Sequence, residues 1–193
     1  MIQAVTARSD EQVLFDDLSA RTDLFWGSML SQRSLTRSLE TSTALSLKDP
    51  TVRDELAELF NRAMDEAFED DTESAFARGL RSIILTHGES AMDALKKIVL
   101  SRSVNEGVAA ESFEVLGRMN DSMTLISRLW ILESGLFSSS ARIRDAAGLG
   151  LASLDDPHAI PYVQKAIDEE QCDELRKDLE QVLEQLQETA QCH

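Results

Sequence analysis

SSSARIRDAAGLGLASLDDPHAIPYVQKAIDE, residues 138–169, carries two helices and the turn between them. Ile143, Ala146, Ala147, Leu149 or Gly150, Leu151 and Leu154 recur mostly every three or four residues, which places them on one side of an α-helix. Any of Ser138 to Ser140 can accept from the free N–H groups of its first turn. Gly148 and Gly150 each cost about 1 kcal/mol relative to alanine inside a helix. That cost implies a close backbone approach, with this helix lying tightly on another. Asp155-Asp156 ends the helix, and Asp156 can cap the second one. Pro157 suits a first helical turn, where its missing N–H has no partner to lose. Pro161 marks the start of the regular second helix, whose apolar stripe is Ile160, Val163, Ala166 and Ile167.

Working outward, the unit recurs. A shift of about 36 residues toward the N-terminus puts Ala146 on Ala110, Leu149 on Phe113 and Leu151 on Val115. A further shift of about 33 puts Leu116 on Ile83 and Asn120 on His87. A shift of about 32 the other way puts Ile143 on Leu175, Arg144 on Arg176 and Leu154 on Leu186. Three helical pairs are therefore expected, 74–87 with 89–101, 105–119 with 122–136, and 139–154 with 157–169. A last helix runs over 171–189 without a partner. Upstream, KDPTVRDELAELFNRAMDEAFE (48–69) reads as another helix. Asp49 caps it, and Leu56, Leu59, Phe60, Ala63, Met64 and Ala67 form its stripe.

Arg144-Asp145-Ala146-Ala147, the Asp155-Asp156-Pro157 turn and Ala159-Ile160-Pro161 together resemble a HEAT repeat. Asp49-Pro50-Thr51-Val52-Arg53 is similar to another entry into one. The resemblance implies a short α-α superhelix of about three HEAT-like pairs, with residues 1–48 as an N-terminal helical cap and the last helix as a C-terminal one. The expected fold is thus a single all-α domain over 1–193. Spacings of roughly 32 to 37 residues suit a helical solenoid.

Composition agrees with a helical chain. Among 193 residues, 42% are hydrophobic, and three prolines and eight glycines are too few for a turn-rich β protein. No apolar run is long enough to span a membrane, and the first residues lack a secretory apolar core. Cys172 and Cys192 read as free thiols in a reducing cytoplasm. They lie at opposite ends of the last helix, roughly 30 Å apart, too far for a disulfide across an intact helix.

The net charge of −16 is unevenly spread. Residues 74–154 carry eight acids and nine bases, whereas 155–193 carry eleven acids and three bases. Asp65, Glu66, Glu69, Asp70, Asp71 and Glu73 fall in one run of nine residues without a base. Such runs either solvate a surface or attract a basic partner by steering. Residues 22–47 differ again, with six serines, four threonines and two acids. Phe25-Trp26 is the densest aromatic point, either a cap over the end of the stack or an anchor for a partner.

No catalytic motif is present: no glycine-rich phosphate loop, no Cys-x-x-Cys and no His-Glu-x-x-His. His87 and His158 fall in turns, and Cys192-His193 offers too few ligands for a metal. No cofactor is implied. Lys96, Arg128 and Lys165 occupy roughly corresponding places on the three second helices. They form either a basic stripe for phosphate or carboxylate groups or, as the HEAT resemblance implies, an internal ladder, with Asp121 pairing Arg128 and Asp156 pairing Lys165. Members of the HEAT class include DNA-binding glycosylases, bilin chaperone-lyases, and bacterial immunity proteins or antitoxins. The charge disfavours nucleic acid. The expectation is a non-catalytic protein-binding module, an acidic inhibitor of a basic effector, with Asp65, Glu66, Glu69, Asp70, Asp71, Glu73, Phe25 and Trp26 as contacts. A scaffold or assembly factor, a homodimer and a lyase-like chaperone subunit are the alternatives.

Overall fold

Several turns among the described residues are made by a side chain that accepts from the backbone of the helix or turn it begins: Ser74, Asn105, Asp121 and Asp156. The computed structural model describes residues 50–64, 66, 68, 73–101 and 104–192, which lie in one compact unit, Lys48–His193. Helix α1 (Pro50–Ala63) is followed by α2 (Ala75–His87), α3 (Glu89–Val99), α4 (Glu106–Arg118), α5 (Leu125–Gly135), α6 (Ala141–Leu154), a 3₁₀ turn (Pro157–Ala159), α7 (Ile160–Glu169) and α8 (Asp173–Cys192). No strand occurs among the described residues, so the chain is all-α there. Phe25, Trp26 and the rest of residues 1–49 lie outside the described residues, as do Asp65, Ala67, Glu69, Asp70 and Asp71.

The expected helices are present, and α2 packs on α3 and α4 on α5; α7, however, packs on α8 instead of on α6, so the third expected pair is corrected and the last helix is not alone. The first pair turns at Gly88, whose φ of 55° is open to glycine; its N–H closes α2 on Ile84 O at 2.8 Å. Helix α4 starts from Asn105, whose Oδ1 accepts from Gly107 N at 2.8 Å. The 3₁₀ turn starts from Asp156, which accepts from His158 N at 3.0 Å, and α7 then begins beside Pro161 as the sequence implies.

Two further expectations are corrected. Helix α1 stops at Ala63 rather than continuing to about Glu69. Glu66 is recruited by the next helix, accepting from Ala75 N at 2.8 Å, and Met64 is left 60% exposed. At α6, Ser140 occupies the N-cap position but its side chain caps nothing; Ser138 Oγ accepts from Ser140 N instead.

Packing connects helices two apart as well as neighbours. Helix α2 packs on α4, α4 on α6 and α6 on α8; α3 packs on α5, and α1 lies on both α2 and α3. Helix α4 is surrounded, with Gly107 to Ala110, Ser112, Phe113 and Val115 to Gly117 all buried. Its contact with α6 is backbone on backbone. A Cβ on Gly117 would lie 2.4 Å from Gly150 O, and one on Gly150 would lie 2.9 Å from Phe113 O. The close approach expected from the helix glycines is therefore found at Gly150. The α6 stripe settles on Ala146, Ala147, Gly148, Gly150 and Leu151, and Leu149 turns outward, 51% exposed.

Helix α8 is fastened at both ends. At its start, the Glu170 carboxylate accepts from Arg144 Nε at 2.7 Å and Nη2 at 2.9 Å, and from the N–H groups of Gln171 and Cys172. Arg144 Nη1 also donates to Ser138 O. The Arg144 guanidinium, then the two N–H groups, hold the Glu170 carboxyl down at about 2 against the opposing effect of burial. Toward its other end, Asp155 accepts from Gln185 Nε2 and Thr189 Oγ1, each at 3.0 Å. Asp155 is in the left-handed region, at φ 53°.

This packing leads to two expected outcomes. Gly117→Ala meets only backbone and should lose about 3 kcal/mol in urea unfolding, whereas Gly148→Ala meets one flexible Leu179 methyl and should be nearly neutral. Glu170 has a folded pKa below its unfolded value, so its stabilisation is present above about pH 4.5 and disappears as pH falls toward about 2. Glu170→Ala leaves the half-buried Arg144 without its carboxylate partner and should cost about 3 kcal/mol at neutral pH, removing that acid limb from the stability profile.

Candidate functional site

Three successive first helices present one outward face. Ala77 and Arg81 of α2, Gly107, Ala110, Glu111, Glu114, Val115 and Arg118 of α4, and Arg142, Asp145, Ala146 and Leu149 of α6 line a groove of about 620 Å³. Ala77, Ala110 and Ala146, matched by the sequence shifts above, form its floor. Phe68 and Glu73 line it as well. Most of its charges are already matched. Glu73 pairs with Arg81 at 2.6 Å, Glu114 with Arg118 at 2.8 Å, and Ser74 Oγ donates to Glu111 at 2.9 Å. Asp145 is exposed as a residue, yet its partly desolvated carboxyl is pushed above the usual range, with Asp178 of α8 adding to the effect.

Of the acidic run, the two described members serve the fold. Glu66 caps α2, and Glu73 faces the groove with Arg81. Asp65, Glu69, Asp70 and Asp71 lie outside the described residues. The larger visible acidic surface is α8, whose Leu175, Leu179, Val182 and Leu186 face inward while Asp173, Glu174, Asp178, Glu180, Glu184 and Glu188 are exposed. Lys177 is the exposed base on that helix, and Arg176 is engaged with Glu170 O and Asp173.

The three second-helix cations have three different fates. Arg128 is 1% exposed and staples a helix end: Nη1 donates to Leu116 O and Nη2 to Asp121 O, both at 2.7 Å. The carbonyl of Asp121, not its carboxylate, meets Arg128, so the expected ladder is made through the backbone. The Asp121 side chain caps α5, accepting from Met123 N, Thr124 N and Thr124 Oγ1. Those bonds, the Thr124 hydroxyl first, hold its carboxyl below the usual range. Burial lowers the Arg128 pKa, with Asp121 opposing, and Nε has no hydrogen-bond partner.

Lys165 lies 5.0 Å from the Phe137 ring centroid and 3.9 Å from Glu169, while Asp156 is taken up by His158. That second expected rung is replaced by a lysine on an aromatic ring. Lys96 repeats the device more closely, its Nζ 3.4 Å from the Trp130 centroid. Partial burial lowers the Lys96 pKa, and Asp93 partly offsets this.

Glu133 has no counterpart in the sequence reading. It is 7% exposed, makes no hydrogen bond or ion pair, and its carboxyl is pushed up to about 8, first by burial and then by Asp156. Helix periodicity alone puts it opposite the α5 core residues Arg128, Ile131 and Leu132, which is where a solvated acid belongs.

Among the described residues, no three His, Cys, Asp or Glu side chains gather so as to hold a metal ion, and no helix is long and apolar enough to cross a membrane. Cys172 is exposed and unbridged. No protein-family model, no curated protein and no solved structure matches the chain.

The folded pKa of Glu133 is raised, so its protonated form favours the fold. Its contribution is complete below about pH 4.5 and is lost as pH rises to about 8. Glu133→Gln should therefore gain on the wild type by about 1.4 kcal/mol per pH unit through that window, measured as the difference between their urea unfolding free energies.

Proposed function

We propose that this chain is a non-catalytic protein-binding module built as a short HEAT-like stack, and that its partner is a basic protein. The stack reading is supported by the contacts of α2 with α4, α4 with α6 and α6 with α8, and by three matched alanines on one groove floor. The partner reading is carried by α8, which exposes six carboxylates against one exposed lysine.

That helix is fastened at both ends, so its charges form a fixed field rather than a loose tail. A fixed acidic field accelerates encounter with a basic surface and is weakened by salt. An inhibitor that covers a basic effector, in the manner of an immunity protein or antitoxin, is the form of this function that best uses a small acidic scaffold. The aromatic pair Phe25-Trp26 and the acids at 65–71 belong to the same proposal as further contacts.

The test uses the full chain as bait in a native extract at about 0.05 M and about 0.5 M salt, with captured protein identified by mass spectrometry. A stoichiometric basic protein held at low salt and released at high salt is expected, and Glu180→Lys, Glu184→Lys and Glu188→Lys together should slow its association by tenfold or more. An acidic partner, or capture indifferent to salt and to these changes, overturns the reading.

A further inference from the structure

The two walls of the groove over α4 differ in chemistry. On the α2 side, Arg81 is paired with Glu73; on α4, Arg118 is paired with Glu114 and Glu111 accepts from Ser74. On the α6 wall, Arg142 and Asp145 both line the groove and are both exposed, and neither makes a hydrogen bond or an ion pair with any described residue. They stand one helical turn apart on the same side of α6, yet they do not pair with each other.

The Arg142 guanidinium lies instead over the bare backbone of Gly107, where a Cβ would be 3.5 Å from Nη1 and Nη2. Asp145 has only another acid acting on it: partial desolvation, and then the Asp178 carboxylate of α8, disfavour its charge. One turn further along the same wall, Leu149 is 51% exposed.

A surface that satisfies this wall offers a carboxylate and a cation one helical turn apart, with small side chains to receive a leucine. The groove and its α6 wall together have that composition. Their shapes agree as well. The floor of Ala77, Gly107, Ala110 and Ala146 is small enough to admit a helix at close range. Helix α6 has 14 residues and the recessed α4 has 13, so wall and groove are each about 20 Å long. A wall beside a groove of its own length is complementary to the same surface turned about a two-fold axis, because residue i then meets j while j meets i.

We propose that the groove seats a second copy of this chain: the α6 wall of each copy lies over α4 of the other, Arg142 pairs with Asp145 of the partner subunit, and Asp145 pairs with Arg142 of the partner subunit. Leu149 passes from solvent to the alanine floor opposite. Neither copy's groove is complete alone, since each supplies the charges that the other lacks. The matched pairs at Glu73–Arg81 and Glu114–Arg118 demand nothing further from the partner. The contact makes no use of the α8 carboxylates, so it stands or falls apart from the basic partner proposed above.

The test is sedimentation velocity of the full chain at micromolar concentration and about 0.15 M salt, where a dimer is expected. Arg142→Asp sets acid against acid at each pairing and Asp145→Arg sets base against base, so each should weaken the dimer about tenfold or more. Arg142→Asp and Asp145→Arg together restore opposite charges, and the dimer should return to within about threefold of the wild type. Both side chains are exposed and hold no other described residue, so the reversals spare the fold, which circular dichroism checks. A dimer indifferent to both single reversals overturns the proposal, and so does a double variant as weak as the singles. A wild type that stays monomeric while still capturing a basic protein overturns it too, and leaves the earlier reading standing.

Discussion

The approach of α4 to α6, glycine against glycine, is the contact on which the rest of the described chain depends. With no side chain at Gly117 or Gly150, the two helices meet at their backbones, and α4 sinks until it is enclosed. Because α4 is recessed, the outward faces of α2 and α6 rise on either side of it and the groove results. Because α6 is drawn inward, its far side is free to receive α8. A side chain at either glycine would separate the layers and shift every helix packed beyond them.

Charged side chains then close the chain's turns, and they do so with carbonyls and N–H groups more often than with each other. Arg128 holds two carbonyls where α4 ends, Asp121 holds two N–H groups where α5 begins, and Glu170 holds two where α8 begins. The free ends of a helix carry unsatisfied backbone groups whatever the sequence, so an ion placed there removes an existing deficit. An ion pair in mid-surface removes none. This accounts for the tight hold on Arg144 and Glu170, compared with the open pairs such as Arg118–Glu114.

How much of the fold was legible depends on the range of the forces involved. Helix positions were readable because periodicity and caps are local: Asp156, Pro161 and the glycines of α6 each acted as their chemistry implies. The α1 boundary was not, because Glu66 answers to Ala75, nine residues on. The second-helix cations were recognised as a set, but their partners were misjudged. An Asp–Lys ladder depends on side-chain direction, and Trp130 and Phe137 offered nearer surfaces. Glu133 was invisible for a deeper reason: its position on the wheel is that of a solvated residue, and only the three-dimensional arrangement removes the water.

The left-handed Asp155 has one more consequence. A terminal helix ordinarily frays from its free end, and its last amides exchange with solvent within the dead time of most experiments. Here Asp155 grips Gln185 and Thr189 from the end of α6, so the final turns of α8 cannot loosen without breaking contacts to a helix in the enclosed part of the molecule. Helix α8 is thereby joined to the enclosed part of the molecule. A partner meeting its carboxylates would meet groups already ordered, and would lose little conformational entropy in arranging them.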